Sequence, residues 1–229
     1  MHWLYLFLII APLEWIAAAK KWHKVRIFSK PLSLITLILW FAATGGFRSN
    51  GWWFGAGLIF SLSGDVFLLM RSRFFIAGLI SFLIGHICYI TGFLQGSIKL
   101  SLFILLPVAL LVMLGVAAYP RIIGGVRRRL EHRYLLIPVI LYMLTITAML
   151  FTALLTWFRP GWSIWAALAA SLGAILFTVS DSLLAAGRFL RPIPHGNFLV
   201  MFTYHMGQLG ITAAVLLANG NIQIIKPVL

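Results

Sequence analysis

GWWFGAGLIFSLSGDVFLLM, Gly51 to Met70, and FFIAGLISFLIGHICYITGFL, Phe74 to Leu94, flank the tripeptide Arg71-Ser72-Arg73 and decide how the rest of the chain is read. Each is an apolar run of about 20 residues, the length a helix rising about 1.5 Å per residue needs to cross roughly 30 Å of hydrocarbon. Outward in both directions the pattern recurs, with apolar stretches at 3–19, 31–47, 100–119, 134–158, 162–187 and 197–218. Together with 51–70 and 74–94 these predict an all-α fold, a polytopic transmembrane bundle of eight helices forming one domain over residues 1–229. Composition agrees: 62% of the residues are hydrophobic, 10% are charged and mean hydropathy is +1.03, which excludes an ordinary soluble domain. The amino terminus lacks the positive flank of a secretory signal, and the first stretch is read as a retained span. The lone cysteine, Cys88, lies in an apolar run, so no intrachain disulfide can form.

The 18 Lys and Arg residues against 4 Asp and Glu give a net charge of +14. In a soluble chain that balance would suggest nucleic acid, but here the bases gather between spans and report topology, with the lipid bilayer as partner and no nucleic acid. Lys20, Lys21, Lys24, Arg26 and Lys30 follow span one, Arg71 and Arg73 span three, Arg121, Arg127, Arg128, Arg129 and Arg133 span five, and Arg188 and Arg191 span seven. Only Arg48, Lys99, Arg159 and Lys226 fall on the other side. The asymmetry puts the odd-numbered connections in the cytoplasm and both termini on the non-cytoplasmic side, the inner membrane if the source is bacterial. Trp3, Trp52, Trp53, Trp157, Trp162 and Trp165 then sit at the outer interface, where indole rings favour the headgroup layer. The alternation also suggests two parallel four-helix repeats, with Ser63-Gly64-Asp65 answered by Ser180-Asp181 and an intramembrane histidine, His86 or His205, in the span that follows.

Ionisable groups inside hydrocarbon are costly and normally face the bundle interior or a wet cavity. Three of the four acids lie within spans: Glu14, Asp65 and Asp181 precede cytoplasmic bases by six or seven residues on helices of the same direction. That sets all three carboxyls roughly 10 Å below the cytoplasmic surface. Asp65 and Asp181 have no basic residue expected at their depth, which favours function over structural pairing; Glu14 could instead be a partner of Lys30. Glu131 falls among Arg127 to Arg133 and reads as their solvated partner. In span four, Phe82, His86 and Tyr89 share a helix face, and in span eight Tyr204 and Gln208 do, so a polar pocket opening toward the cytoplasmic leaflet is expected. Gly57, Ser61, Gly64, Ala170 and Gly173 are read as close-packing positions.

With these residues in view, the chain resembles the YhhN-like lysoplasmalogenase family of eight-span membrane proteins. The resemblance rests on Glu14, Lys30-Pro31, Gly64-Asp65, Phe82 with His86 and Tyr89, Gly173-Ala174 with Phe177 and Ser180-Asp181, and Tyr204 with Gln208, in that order. His205 departs from it, standing where the eighth-span motif has a small residue. The resemblance implies hydrolysis of the vinyl ether of lysoplasmalogen, a lysophospholipid substrate, to a fatty aldehyde and glycerophosphoethanolamine or glycerophosphocholine, with no cofactor and no bound metal.

The residues suit that chemistry. A vinyl ether hydrolyses by protonation at its terminal alkene carbon, and water captures the resulting oxocarbenium ion. Two carboxyls in a low-dielectric layer can supply a proton donor beside a stabilising anion, as glycosidases do for a related cation. Asp65 and Asp181 are the candidate catalytic pair. Glu14, Lys30, His86, Tyr89, Ser180, Tyr204 and Gln208 are the candidate substrate contacts, with Lys30 read as a rim residue for the phosphate. A proton-coupled carrier is one alternative, although Pro12, Pro107 and Pro138 lie away from both aspartates. A metal-dependent lipid hydrolase using Asp65, Asp181, His86 and His205 is the other, without a paired-ligand motif such as H-E-x-x-H.

Overall fold

The computed structural model describes residues 2–48, 51–70, 72–99, 101–128 and 134–222. Eight helices, α1 (His2–Ala19), α2 (His23–Ala43), α3 (Trp52–Leu69), α4 (Phe75–Phe93), α5 (Leu105–Arg128), α6 (Leu136–Leu154), α7 (Ile164–Phe189) and α8 (Gly196–Ala218), account for all eight expected spans, and all are long and apolar enough to cross a membrane. The roles read for Arg71, Arg129, Glu131, Arg133 and Lys226 fall outside the described residues.

Two helices extend beyond the boundaries that charge suggests. α2 begins at His23, so Lys24, Arg26 and Lys30 are on a helix rather than in a connection, and Pro31 lies within it. α5 runs through Pro120 to Arg128, and Arg121 folds back to donate to the Ala117 carbonyl. Both differences have one cause. In lipid an unpaired backbone group is costlier than a charge that snorkels or finds a partner, so the helix continues past the first basic residue.

Seven helices form a closed ring in which α1 packs on α2, α2 on α3, α3 on α4, α4 on α6, α6 on α7, α7 on α8 and α8 on α1. α5 lies outside the ring, on α6 and α7, and shares no packed seam with α4. The closest pairs are α3 with α4 and α7 with α8, and glycine allows both. A Cβ on Gly173 would stand 2.6 Å from the Ile211 amide nitrogen and 2.9 Å from the Gly207 carbonyl, and one on Gly64 would meet the Phe82 ring at 2.6 Å.

Side-chain clamps join connections on one side. Arg159, buried and with its basicity lowered by that burial, donates to the Gln95 and Gly96 carbonyls, and Asn221 donates to the Thr44 carbonyl. Trp52, Trp157 and Trp165 are exposed near the same ends, as interface anchors would be.

Candidate active site

The ring encloses two polar networks, one around each aspartate, and the aromatic ring of Phe177 stands between them. In the first, Lys30 of α2 sets its Nζ 3.0 Å from Oδ1 of Asp65 of α3. The Tyr204 hydroxyl of α8 donates to Oδ2 of the same carboxylate at 2.9 Å. Gln208, one turn further along α8, lies 3.5 Å behind that hydroxyl through its Nε2 and accepts from the Tyr89 hydroxyl of α4 at 2.6 Å. The chain Lys30–Asp65–Tyr204–Gln208–Tyr89 thus ties four helices together, with every member buried. Hydrogen-bonded polar groups are what a low-dielectric interior tolerates.

In the second network the Tyr142 hydroxyl of α6 donates to Oδ2 of Asp181 of α7 at 2.5 Å. His86 of α4 completes a triangle, its Nε2 3.0 Å from the Tyr142 oxygen and 3.4 Å from Asp181 Oδ2. No Lys or Arg pairs with Asp181 among the described residues, and its side chain is 13% exposed where that of Asp65 is 1% exposed. Phe177, wholly buried, touches both sets edge-on, with ring centroids 4.8 Å from His86 and 5.2 Å from Tyr204. No hydrogen bond joins the two aspartates; each binds its own partners.

Both carboxylates nevertheless face one polar cavity, walled also by Arg26, Lys30, Ser180, Asn197 and Tyr204, at the end of the bundle where α1 joins α2 and α7 joins α8. A second cavity, almost wholly apolar, lies between α4, α5, α6 and α7 and shares Asp181, Phe75, Phe82 and Arg188 with the first. At about 210 Å³ it far exceeds the room a single water needs. The arrangement can therefore present a carboxyl to a ligand lying partly in a polar chamber and partly in an apolar one.

Several sequence expectations change here. Lys30 is not at the rim: because α2 starts at His23, Lys30 lies about two turns inside the helix and is buried against Asp65. A cation does therefore stand at the depth of Asp65, contrary to the charge pattern. Glu14 does not pair with Lys30. Its two oxygens take the Arg26 Nε at 2.9 Å and the Ser29 hydroxyl at 2.6 Å, so it meets the polar cavity only through Arg26. His86, Tyr89 and Gln208 stand behind the cavity walls, while Ser180 lines the polar chamber with its hydroxyl donated to the Val200 carbonyl at 2.9 Å. His205 turns away toward α1, where its Nδ1 accepts from the Trp15 indole at 3.0 Å. Among the described residues no three of His, Cys, Asp and Glu come together as a metal site, and α3 and α7 run unbroken past their aspartates.

Tyr142, Phe177 as a divider, and Arg188 as a cavity wall were not singled out as site residues by sequence. Tyr142 stands alone in an apolar span, and Arg188 reads as one more topological charge. Only the meeting of α4, α6 and α7 gives them roles.

The chain is 29% identical to human lysoplasmalogenase TMEM86B over 196 residues, 85% of this chain and 76% of that protein. It is 34% identical to human lysoplasmalogenase TMEM86A over 157 residues, 67% of this chain and 60% of that protein. It is also 30% identical to a lysoplasmalogenase of Mycobacterium tuberculosis over 167 residues, 70% of this chain and 59% of that protein. No solved structure matches. The YhhN family profile covers residues 25–215, which takes in both polar networks, and the chain belongs to the YhhN family.

Proposed function

We propose that this protein is a membrane hydrolase that cleaves the vinyl ether of lysoplasmalogen, giving a fatty aldehyde and glycerophosphoethanolamine or glycerophosphocholine, with Asp181 as acid and Asp65 as its anionic partner. The observation that carries the reading is the opening of both carboxyls onto one polar cavity that joins an apolar cavity at Asp181. The names of the relatives support the reaction, and the different surroundings of the two carboxyls support the division of labour.

Asp181 takes the acid role because Oδ2 is held by Tyr142 while Oδ1 has no hydrogen-bond partner among the described residues and can carry the proton. That proton adds to the terminal alkene carbon, and the π electrons of the enol ether form the new C–H bond. The positive charge left on the ether-bearing carbon and its oxygen is stabilised by the Asp65 carboxylate, which Lys30 and Tyr204 hold in place. Water from the polar cavity adds to the cation, and its proton passes by way of the Tyr204 hydroxyl to Asp65. The hemiacetal then collapses: Asp181 recovers a proton from the hemiacetal hydroxyl, Asp65 returns one to the departing glycerol oxygen, and the C–O bond breaks. Both aspartates end in their starting states, and the water is consumed.

The deciding experiment is incubation of purified protein with an alkenyl lysophospholipid, followed by measurement of released aldehyde, beside the acyl ester analogue and in the presence and absence of a chelator. Aldehyde from the vinyl ether alone, unaffected by chelation and lost in D181N, is the expected result. Cleavage of the acyl ester instead would overturn the reaction type. The positive-inside pattern supports a cytoplasmic position for the polar cavity, and a C-terminal reporter that reads cytoplasmic would overturn that orientation.

A further inference from the structure

Among the described residues three cations reach the wall of the polar cavity, and two of them are already neutralised: Arg26 by Glu14 at 2.9 Å and Lys30 by Asp65 at 3.0 Å. The third, Arg188, has no carboxylate partner among the described residues. Its guanidinium carbon lies over the Phe75 ring, 3.7 Å from the centroid, and its Nε is buried without a hydrogen-bond partner among the described residues. Arg188 also lines both cavities. It follows Asp181 by seven residues on the continuous helix α7, which sets it two turns and roughly 10 Å nearer the cytoplasmic end, on nearly the same helix face.

We propose that Arg188 is the binding residue for the phosphate of a single-chain phospholipid, and that the apolar cavity between α4, α5, α6 and α7 holds its hydrocarbon chain. The inference rests on the proposed lipid substrate and assigns its two ends. A planar guanidinium stacked on an aromatic ring is suited to bidentate contact with a phosphate, whereas Lys30, which sequence favoured for that contact, is occupied. With the phosphate on Arg188, the three-carbon glycerol unit reaches inward along α7 toward Asp181, and the chain beyond the ether enters the apolar cavity. Gly115 of α5 lines that cavity, and a Cβ added there meets nothing within 4 Å among the described residues, so the space beside it is open. Because α5 shares no packed seam with α4, that side of the slot is not closed by helix packing.

The test uses a saturated alkyl lysophospholipid, which cannot undergo the reaction, so binding is read apart from chemistry. Wild-type, R188Q and R188K proteins in detergent are titrated with it by intrinsic tryptophan fluorescence. R188Q is expected to bind at least tenfold more weakly, with R188K between the two. Inorganic phosphate, lacking a chain, is expected not to displace the lipid from the wild type. In hydrolysis, R188Q is expected to lower kcat/KM on the alkenyl lysophospholipid through KM while leaving kcat/KM on the corresponding alkenyl glycerol, which has no phosphate, unchanged. G115F is expected to weaken binding of a long-chain alkyl lysophospholipid more than a short-chain one. Equal binding of the alkyl lysophospholipid by wild type and R188Q, or equal losses on both hydrolysis substrates, would overturn the assignment of Arg188, and displacement of the lipid by inorganic phosphate would overturn that of the slot. No chain-length dependence in G115F would overturn that of the slot. Failure to hydrolyse either vinyl ether would instead count against the reaction while leaving the binding result decisive.

Discussion

Asp65 and Asp181 are the same type of residue on two walls of one cavity, yet their surroundings differ. Asp65 has a buried lysine, a tyrosine donor and almost no exposure, and its network crosses α2, α3, α8 and α4. Among the described residues Asp181 has a tyrosine, a histidine and no cation, and one of its oxygens has no hydrogen-bond partner. The first carboxylate is therefore part of what holds the helices in register, whereas the second is held in position without being neutralised. Identical side chains can divide acid and anion roles when only one of them is given a counter-ion.

The sharpest way to break this comparison is to neutralise each aspartate. D181N is expected to lower kcat by roughly 10²–10⁴, the usual span for loss of a general acid, with little change in thermal stability, read by aldehyde release and a melting curve on the same preparation. D65N is expected to abolish activity and also destabilise the protein by about 3–5 kcal/mol, because it leaves Lys30 buried without its partner. The double variant D65N/K30M should regain most of that stability and none of the activity. If D181N proves the more destabilising of the two single variants, the assigned roles are reversed.

A smaller contrast lies in the tyrosines. Y142F removes the 2.5 Å bond to Asp181 and is expected to cost about tenfold in kcat with KM unchanged, consistent with loss of one hydrogen bond that positions the acid. Y204F should lower both kcat and melting temperature, since that hydroxyl bridges Asp65 and Gln208. The smallest effect is expected outside both networks. W15F removes the bond to His205 and should cost about 0.6 kcal/mol in stability, with aldehyde release unaltered.

The two halves of the chain offer a parallel lesson. Spans α3 with α4 and α7 with α8 are the closely packed pair in each half. The correspondence fails at α1 and α5: α1 closes the ring against α8, whereas α5 stands off from α4 and leaves room for the apolar cavity. Nothing in the apolar composition of 100–119 distinguishes a ring-closing helix from a peripheral one, because both are hydrophobic on the side that meets lipid.

What the sequence by itself determined was the number of apolar spans and their approximate limits, since hydrocarbon thickness and the cost of burying charge act residue by residue along the chain. It also marked Asp65, Asp181, Tyr204 and Gln208, because a polar residue in a membrane span needs a partner. Which partner it finds depends on how helices rotate and meet, and only the tertiary structure decided that. Lys30 went to Asp65 rather than to the rim or to Glu14, His205 went to Trp15, and Tyr142 came to Asp181 from a span with no other sign of function. These pairings join residues up to 190 positions apart, and their energies depend on distances of a few ångströms that no local pattern encodes.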